Sequence, residues 1–241
     1  MEILSIGNSF SQDAHRYINK IASSAGCKIN TYNLYIGGCS LSMHFRNMLS
    51  DSKKYSLEMN GESTGFLVSL KEALLTRNWD VVTIQQASHE SINYDYYQPY
   101  MNKIVEYVKE YVPKAKIAIH ETWAYEEGSN KLGALGYTAQ LDMYNALKAA
   151  YSYAKEDVKP DVYIPSGELL QVLLSSGIKR VHRDGYHLSY GIGRYAVGLL
   201  WAQIFLGRNI EDYTFASFDE DISDSDIKTV KSCVKKIAEK L

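Results

Sequence analysis

Two rhythms of hydrophobic and polar positions take turns along this chain. Short aliphatic or β-branched runs mark buried strands, and they give way to stretches with apolar residues every three or four positions, the mark of amphipathic helices. The first run, Ile3-Leu4-Ser5-Ile6, breaks at Gly7-Asn8. A helix over 11–25 follows, with Ala14, Tyr17, Ile18, Ile21, Ala22 and Ala25 on one face and Gly26 as its stop. A second strand, 28–36, carries Asn30, Thr31 and Asn33, as an edge strand would, and ends at Gly37-Gly38-Cys39-Ser40. Further strands are predicted over 79–84, a β-branched run read as central, and over 116–120 and 161–164. Helices over 66–76, 96–112, 137–155, 168–174 and 190–206 separate or follow them, and a last amphipathic helix closes the chain. The 190–206 helix is nearly all apolar and must pack in the core.

Such alternation predicts βαβ units on a parallel sheet. Residues 41–65 interrupt it with a short helix (41–49), a charged patch and a tight hairpin signal at Asn60-Gly61. This segment reads as an insertion over or beside the crevice, either a lid or surface decoration. At 241 residues the chain suffices for one sizeable core, and nothing forces a second domain.

Composition narrows the partners. A formal charge of −2 gives no reason to expect nucleic acid or an anionic membrane surface. The longest apolar stretches fall far below the roughly 18 residues of a membrane span. The first strand begins almost at Met1, which leaves no room for a signal peptide; a cytoplasmic location is expected, or a secreted or periplasmic one if a leader was trimmed. Cys27, Cys39 and Cys233 are odd in number, widely spaced and without a CxxC pair, against a disulfide framework or zinc knuckle. The 20 tyrosines suit the flat faces of sugars, and tyrosine is also an ordinary core and rim residue.

The candidate chemistry starts at Ser9. It lies where a first strand's carboxyl end turns into a helix, the crevice in which open α/β sheets collect ligands, beside the helix's free N–H groups. Serine needs a base to take its proton and a third group to fix that base. His187 is the candidate base, three residues after Asp184 in a turn before a helix. Alone, the first motif is an ordinary helix cap and the second an ordinary structured turn; together, at two carboxyl-end loops, they point to acyl transfer. The developing oxyanion needs donors. Candidates are the N–H groups of Ser9 and Gly38 and a side chain after the third strand, Gln86 or His89.

Two other readings compete. His120-Glu121, His89-Glu90 and Asp184…His187 are possible metal ligands, but none has HExxH or His-x-x-x-His spacing. A non-catalytic module would use the same sheet, binding a phosphate or a flavin on the N–H groups at Gly7-Asn8-Ser9, although no Gly-Lys-Ser/Thr is present, or holding a carbohydrate without turnover. No cofactor is expected for acyl transfer through Ser9.

Gly7-Asn8-Ser9, the glycine turn after the second strand, the polar loop after the third and Asp184-Gly185-Tyr186-His187 resemble the sequence blocks of the SGNH (GDSL-type) hydrolase superfamily. Gly-Asn-Ser-Phe-Ser, Gly-Gly-Cys-Ser-Leu and Gln-Gln-Ala-Ser are similar to its DUF4886 group, and the resemblance spans residues 2–206. It implies Ser9, Asp184 and His187 as a triad and Gly38, or the adjacent Gly37, as an oxyanion donor. The third block departs: the usual Gly-x-Asn-Asp reads Ala87-Ser88-His89-Glu90, so His89 takes the asparagine's place by counting and Gln86 by chemistry, the preferred choice. The resemblance also implies a three-layer α/β/α, flavodoxin-like sheet of five parallel strands. It implies hydrolysis of esters, frequently acetyl esters on carbohydrates, hence a small-molecule or saccharide ester as substrate. Trp123, Tyr125, Tyr94 and Tyr186 then offer stacking faces near the crevice.

Overall fold

The computed structural model describes residues 1–241 and builds them around one seven-stranded sheet. Strands β1 (Glu2–Gly7), β2 (Asn30–Tyr35), β3 (Tyr55–Met59), β4 (Glu62–Val68), β5 (Val81–Ile84), β6 (Lys116–Glu121) and β7 (Val162–Pro165) lie in the order β4-β3-β2-β1-β5-β6-β7. From β2 to β7 every pairing is parallel, which makes five parallel strands; β3 and β4 extend them as an antiparallel hairpin. β5 is buried along its whole length and β1 along all but its first residue, so both faces of the sheet's middle are covered.

The helices are α1 (Ser9–His15), α2 (Ile18–Ser24), α3 (Leu41–Leu49), α4 (Leu70–Leu75), α5 (Tyr100–Tyr111), α6 (Asn130–Ala134), α7 (Gln140–Val158), α8 (Ser166–Ser175), α9 (Ile192–Leu206) and α10 (Asp224–Ala238). Helix α9 packs with α1, α2, α8 and α10, while α5 packs with α3, α4 and α7. The two groups form the outer layers of an α/β/α sandwich. Ten consecutive α9 residues but one are buried between Ile192 and Trp201, as its apolar sequence requires. No helix is long and apolar enough to cross a membrane.

Three expectations need correction. The 11–25 helix starts earlier, at Ser9, and splits into α1 and α2 at Arg16 and Tyr17. There the Arg16 N–H bonds back only to Asp13, and the fully buried Tyr17 reaches across to donate to the Tyr190 carbonyl. The 66–76 helix starts later. Phe66 to Val68 finish β4, and Ser69 caps α4 through a reciprocal capping box with Glu72. β2 is not an edge. The hairpin, turned at Asn60-Gly61 with both residues at positive φ, pairs against it, and Asn33 donates to the buried Glu58 of β3 at 2.8 Å. The 55–68 hairpin therefore belongs to the sheet's far edge, and no residue of 41–68 lines the cleft described next.

Candidate active site

β1 ends at Gly7, where a Cβ would stand 2.0 Å from the Ser11 hydroxyl oxygen; the turn closes only around glycine. Asn8 then caps α1. Its Oδ1 accepts the Phe10 N–H at 2.9 Å, and the Ser11 hydroxyl accepts the Asn8 N–H at 3.0 Å. Ser9 becomes the first helical residue, so its own N–H has no partner within the helix and stays available at the helix's positive end. Across the cleft the β2 exit brings in Gly37 and Gly38, and the Gly38 N–H also meets no acceptor of the chain. Asn8 joins the two turns by donating its Nδ2 to the Cys39 carbonyl at 3.1 Å.

The third wall is the loop before α9. A single bridge between His182 and Leu188 narrows it, and Asp184 turns back on His187 twice. Its Oδ1 accepts the His187 N–H at 2.9 Å and its Oδ2 the ring Nδ1–H at 2.8 Å. That leaves His187 Nε2 as the acceptor for the Ser9 hydroxyl, 2.8 Å away. Burial pushes the Asp184 carboxyl up, but the His187 ring and backbone hydrogen bonds and the charges of His187 and Arg183 outweigh it and hold the group below its ordinary range. Asp184 thus stays ionised opposite the imidazole.

Two further residues position this loop. Asp13, fully buried one helical turn after Ser9, accepts Arg183 Nη1 on both oxygens at 2.9 Å, Arg194 Nε at 2.8 Å and the Leu188 N–H at 3.0 Å. Arg183 also donates to the Leu188 carbonyl. The helix bearing Ser9 is thereby fastened to the loop bearing His187. Sequence reasoning missed this clamp; its only trace is one acidic residue beside the apolar face of α1 and an arginine next to Asp184.

The cleft has a volume of about 450 Å³ and is lined near Ser9 and His187 by Tyr35, Ser88, His89, Tyr125, Lys131 and Tyr186. Tyr186 packs against the His187 ring at 3.9 Å between centroids, and the Tyr125 and Ser88 hydroxyls meet at 2.9 Å. His89 reaches the cleft with its ring about half exposed. Tyr35 and Lys131 were not anticipated.

Three expected residues lie elsewhere. Gln86 is buried and spent: its Oε1 accepts the N–H groups of Leu41 and Ala87, and its Nε2 donates to the Tyr96 carbonyl at 2.9 Å. It offers no donor to the cleft. Trp123 is fully buried beneath Phe10, stacked at 4.3 Å, with its Nε1 donated to the Tyr186 carbonyl at 2.8 Å; it supports the site's floor and offers no stacking face. Tyr94 donates to Asp157 and packs on Tyr97 and Tyr153, away from the cleft. The three pairs weighed as metal ligands do not converge either. His120 sits in the core and Glu121 bonds to Tyr163 and to the start of α8.

The family model described as "Domain of unknown function (DUF4886)" matches residues 2–235. A crystal structure of a DUF4886 family protein from Bacteroides uniformis is 31% identical, with a TM-score of 0.91 over 98% of this chain and 93% of that one. A presumed SGNH hydrolase from Slackia heliotrinireducens is 22% identical, with a TM-score of 0.62 over 84% of this chain and 97% of that one. An acetyl xylan esterase, AlAXEase, is 15% identical, with a TM-score of 0.53 over 84% and 98%. These last two share the fold. No curated protein matches the chain.

Proposed function

The chain belongs to the family described as a domain of unknown function, DUF4886, and from its own side chains we propose that it is a serine esterase acting on carboxylic esters through Ser9, His187 and Asp184. One observation carries this reading: an unbroken line of hydrogen bonds from the Ser9 hydroxyl through both ring nitrogens of His187 to Asp184, opening on the cleft.

His187 Nε2 takes the hydroxyl proton as Ser9 Oγ attacks the ester carbonyl, and Asp184 stabilises the imidazolium that forms. The N–H groups of Ser9 and Gly38 receive the oxyanion. The imidazolium then protonates the leaving alcohol, and a water, deprotonated by the same ring, releases the acid from the acyl-serine. The acyl group in this reading is small, acetyl in the first instance, and the alcohol a saccharide. Supporting that choice are the half-buried tyrosine rings at 35 and 186, whose faces and hydroxyls suit a sugar, in a cleft of ordinary ligand size.

Turnover of p-nitrophenyl acetate and labelling by a fluorophosphonate test it. Wild-type protein hydrolyses the ester and takes the label at Ser9; Ser9→Ala loses turnover by at least about 10³-fold and the label entirely. Retained turnover in the variant would assign another nucleophile. Wild type that neither turns over nor labels, yet binds acetylated oligosaccharides, would make this a binding module.

A further inference from the structure

Behind the cleft a line of buried polar groups, four side chains and one backbone carbonyl, crosses the carboxyl ends of all five parallel strands. Cys39 follows β2, Asn8 follows β1, Gln85 follows β5, His120 lies in β6 and Ser166 opens α8 directly after β7. Asn8 Nδ2 donates to the Cys39 carbonyl at 3.1 Å, Gln85 Nε2 to Asn8 Oδ1 at 2.9 Å, and His120 Nδ1 stands 2.8 Å from Gln85 Oε1 and Nε2 2.9 Å from the Ser166 hydroxyl. Asn8, Gln85, His120 and Ser166 are all buried to 2% exposure or less.

The direction of every bond in this line follows from one backbone group. The Phe10 N–H must donate to Asn8, so the atom it meets is the amide oxygen. Gln85 must then present its NH2 to that oxygen and its carbonyl to His120. His120 must carry its proton on Nδ1, which leaves Nε2 to accept from the Ser166 hydroxyl. Burial pushes the His120 imidazole down to about 3, so the ring is neutral and the single-tautomer assignment holds. Ser166 reaches the ring because its neighbour is glycine: a Cβ on Gly167 would stand 2.4 Å from the Thr122 carbonyl oxygen at the β6 exit.

At its other end the line meets both turns that carry the free N–H groups of Ser9 and Gly38. Asn8 caps the helix of the first and holds the Cys39 carbonyl of the second. We propose that Gln85 is a positioning residue: backed by His120 and Ser166, it locks the Asn8 amide and so holds the two oxyanion-binding turns in register. The proposal rests on the esterase reading. A shift of one turn against the other spoils donor geometry in the transition state while leaving most ground-state contacts with the ester intact.

Gln85→Met keeps the side chain's bulk and removes both hydrogen bonds. Its kcat on p-nitrophenyl acetate, measured well below the variant's own melting temperature, falls by about 10–100-fold with KM within about twofold. An unchanged kcat per folded molecule, or a loss carried by KM, overturns the proposal. His120→Asn places an amide N–H where Nδ1–H was and retains most of the rate, whereas His120→Leu falls like Gln85→Met; loss in both, or in neither, overturns the role of His120 in holding Gln85. A readout independent of turnover is the His120 tautomer, observed by proton–nitrogen correlation on histidine-labelled protein. The Nδ1–H form is expected, and the Nε2–H form overturns the line whatever the activity. A wild type without ester turnover overturns the esterase reading and the oxyanion role with it, while the tautomer still decides the hydrogen-bond line.

Discussion

The two sides of the cleft are held by opposite chemistries. On the side of the glycine turns, Asn8, Gln85, His120 and Ser166 are neutral and buried, and each hydrogen bond passes from one amide, imidazole or hydroxyl to the next. On the side of His187, one buried carboxylate, Asp13, meets two arginines that remain partly exposed, at 18% and 11% of their side chains. The neutral side spans adjacent strands, where a short reach between neutral groups suffices. The charged side has to fasten a loop to a helix some 170 residues earlier in the chain, and a carboxylate accepting from several donors gives that contact both strength and direction. Fixed geometry on one side thus comes from packing neutral groups, and on the other from charge.

Removing the central group of each side separates them most sharply. Asp13→Ala leaves Arg183 and Arg194 without their carboxylate and the Leu188 N–H without an acceptor. Breaking a buried ion pair from one side costs about 3–5 kcal/mol. Gln85→Met leaves only neutral groups unpaired, which costs about 1–3 kcal/mol. Urea unfolding midpoints, with the m-value unchanged, measure both. Equal costs would erase the distinction between the two sides. The Asp13 variant should also lose turnover, because the loop carrying His187 is no longer tied to the helix carrying Ser9.

An ionisable neighbour of the neutral side predicts a pH dependence. Glu121, next to His120 in β6, is almost fully buried; burial pushes its carboxyl up to about 7, against the pull of hydrogen bonds from Tyr163 and the Glu168 N–H. The folded state therefore holds its proton more tightly than the unfolded chain, where the carboxyl titrates near its usual 4.5. The stabilising contribution is complete below about pH 4.5 and is lost as pH rises through about 7, amounting to about 3 kcal/mol. Glu121→Gln has no proton to lose. Relative to wild type it should gain about that much on going from about pH 4 to about pH 8. Parallel stability curves for the two proteins would mean that Glu121 titrates normally despite its burial.

Much of this architecture is legible in the sequence because both periodicities are strong. The five parallel strands and the apolar α9 follow from them, and the spacing of Asp184 and His187 already brings both into one loop. What escapes depends on partners remote in sequence or on a single step of parity. Asn30, Thr31 and Asn33 look like an exposed edge until Glu58 and Asn60 arrive from the hairpin to bond them. Gln85 and Gln86 are chemically equal, yet successive residues leave a strand on opposite sides, so one holds Asn8 while the other caps Leu41 and Ala87. The capping box Ser69…Glu72, in contrast, was readable and marks the true start of α4. Trp123 shows the reverse problem. An aromatic residue after a strand suits a sugar platform equally well as a buried floor, and only its contact with Phe10 decides.

The smallest effect tests how the charged side works. Arg183 meets Asp13 through a single nitrogen, Nη1, which lies 2.9 Å from both carboxylate oxygens and also donates to the Leu188 carbonyl. No two-nitrogen fork is used, and a lysine ammonium, with three donors on one atom, reproduces that pattern if its chain reaches. What lysine cannot reproduce is the flat stacking of the guanidinium over Tyr190, whose ring centre lies 4.8 Å away. Arg183→Lys should therefore cost only about 0.5–1 kcal/mol, the worth of a partly exposed cation–π contact, and leave turnover close to wild type. Arg183→Met removes the charge itself and should approach the Asp13→Ala result. If lysine proves as damaging as methionine in unfolding and in rate, the clamp depends on guanidinium shape, and the account of this side as held by charge alone fails.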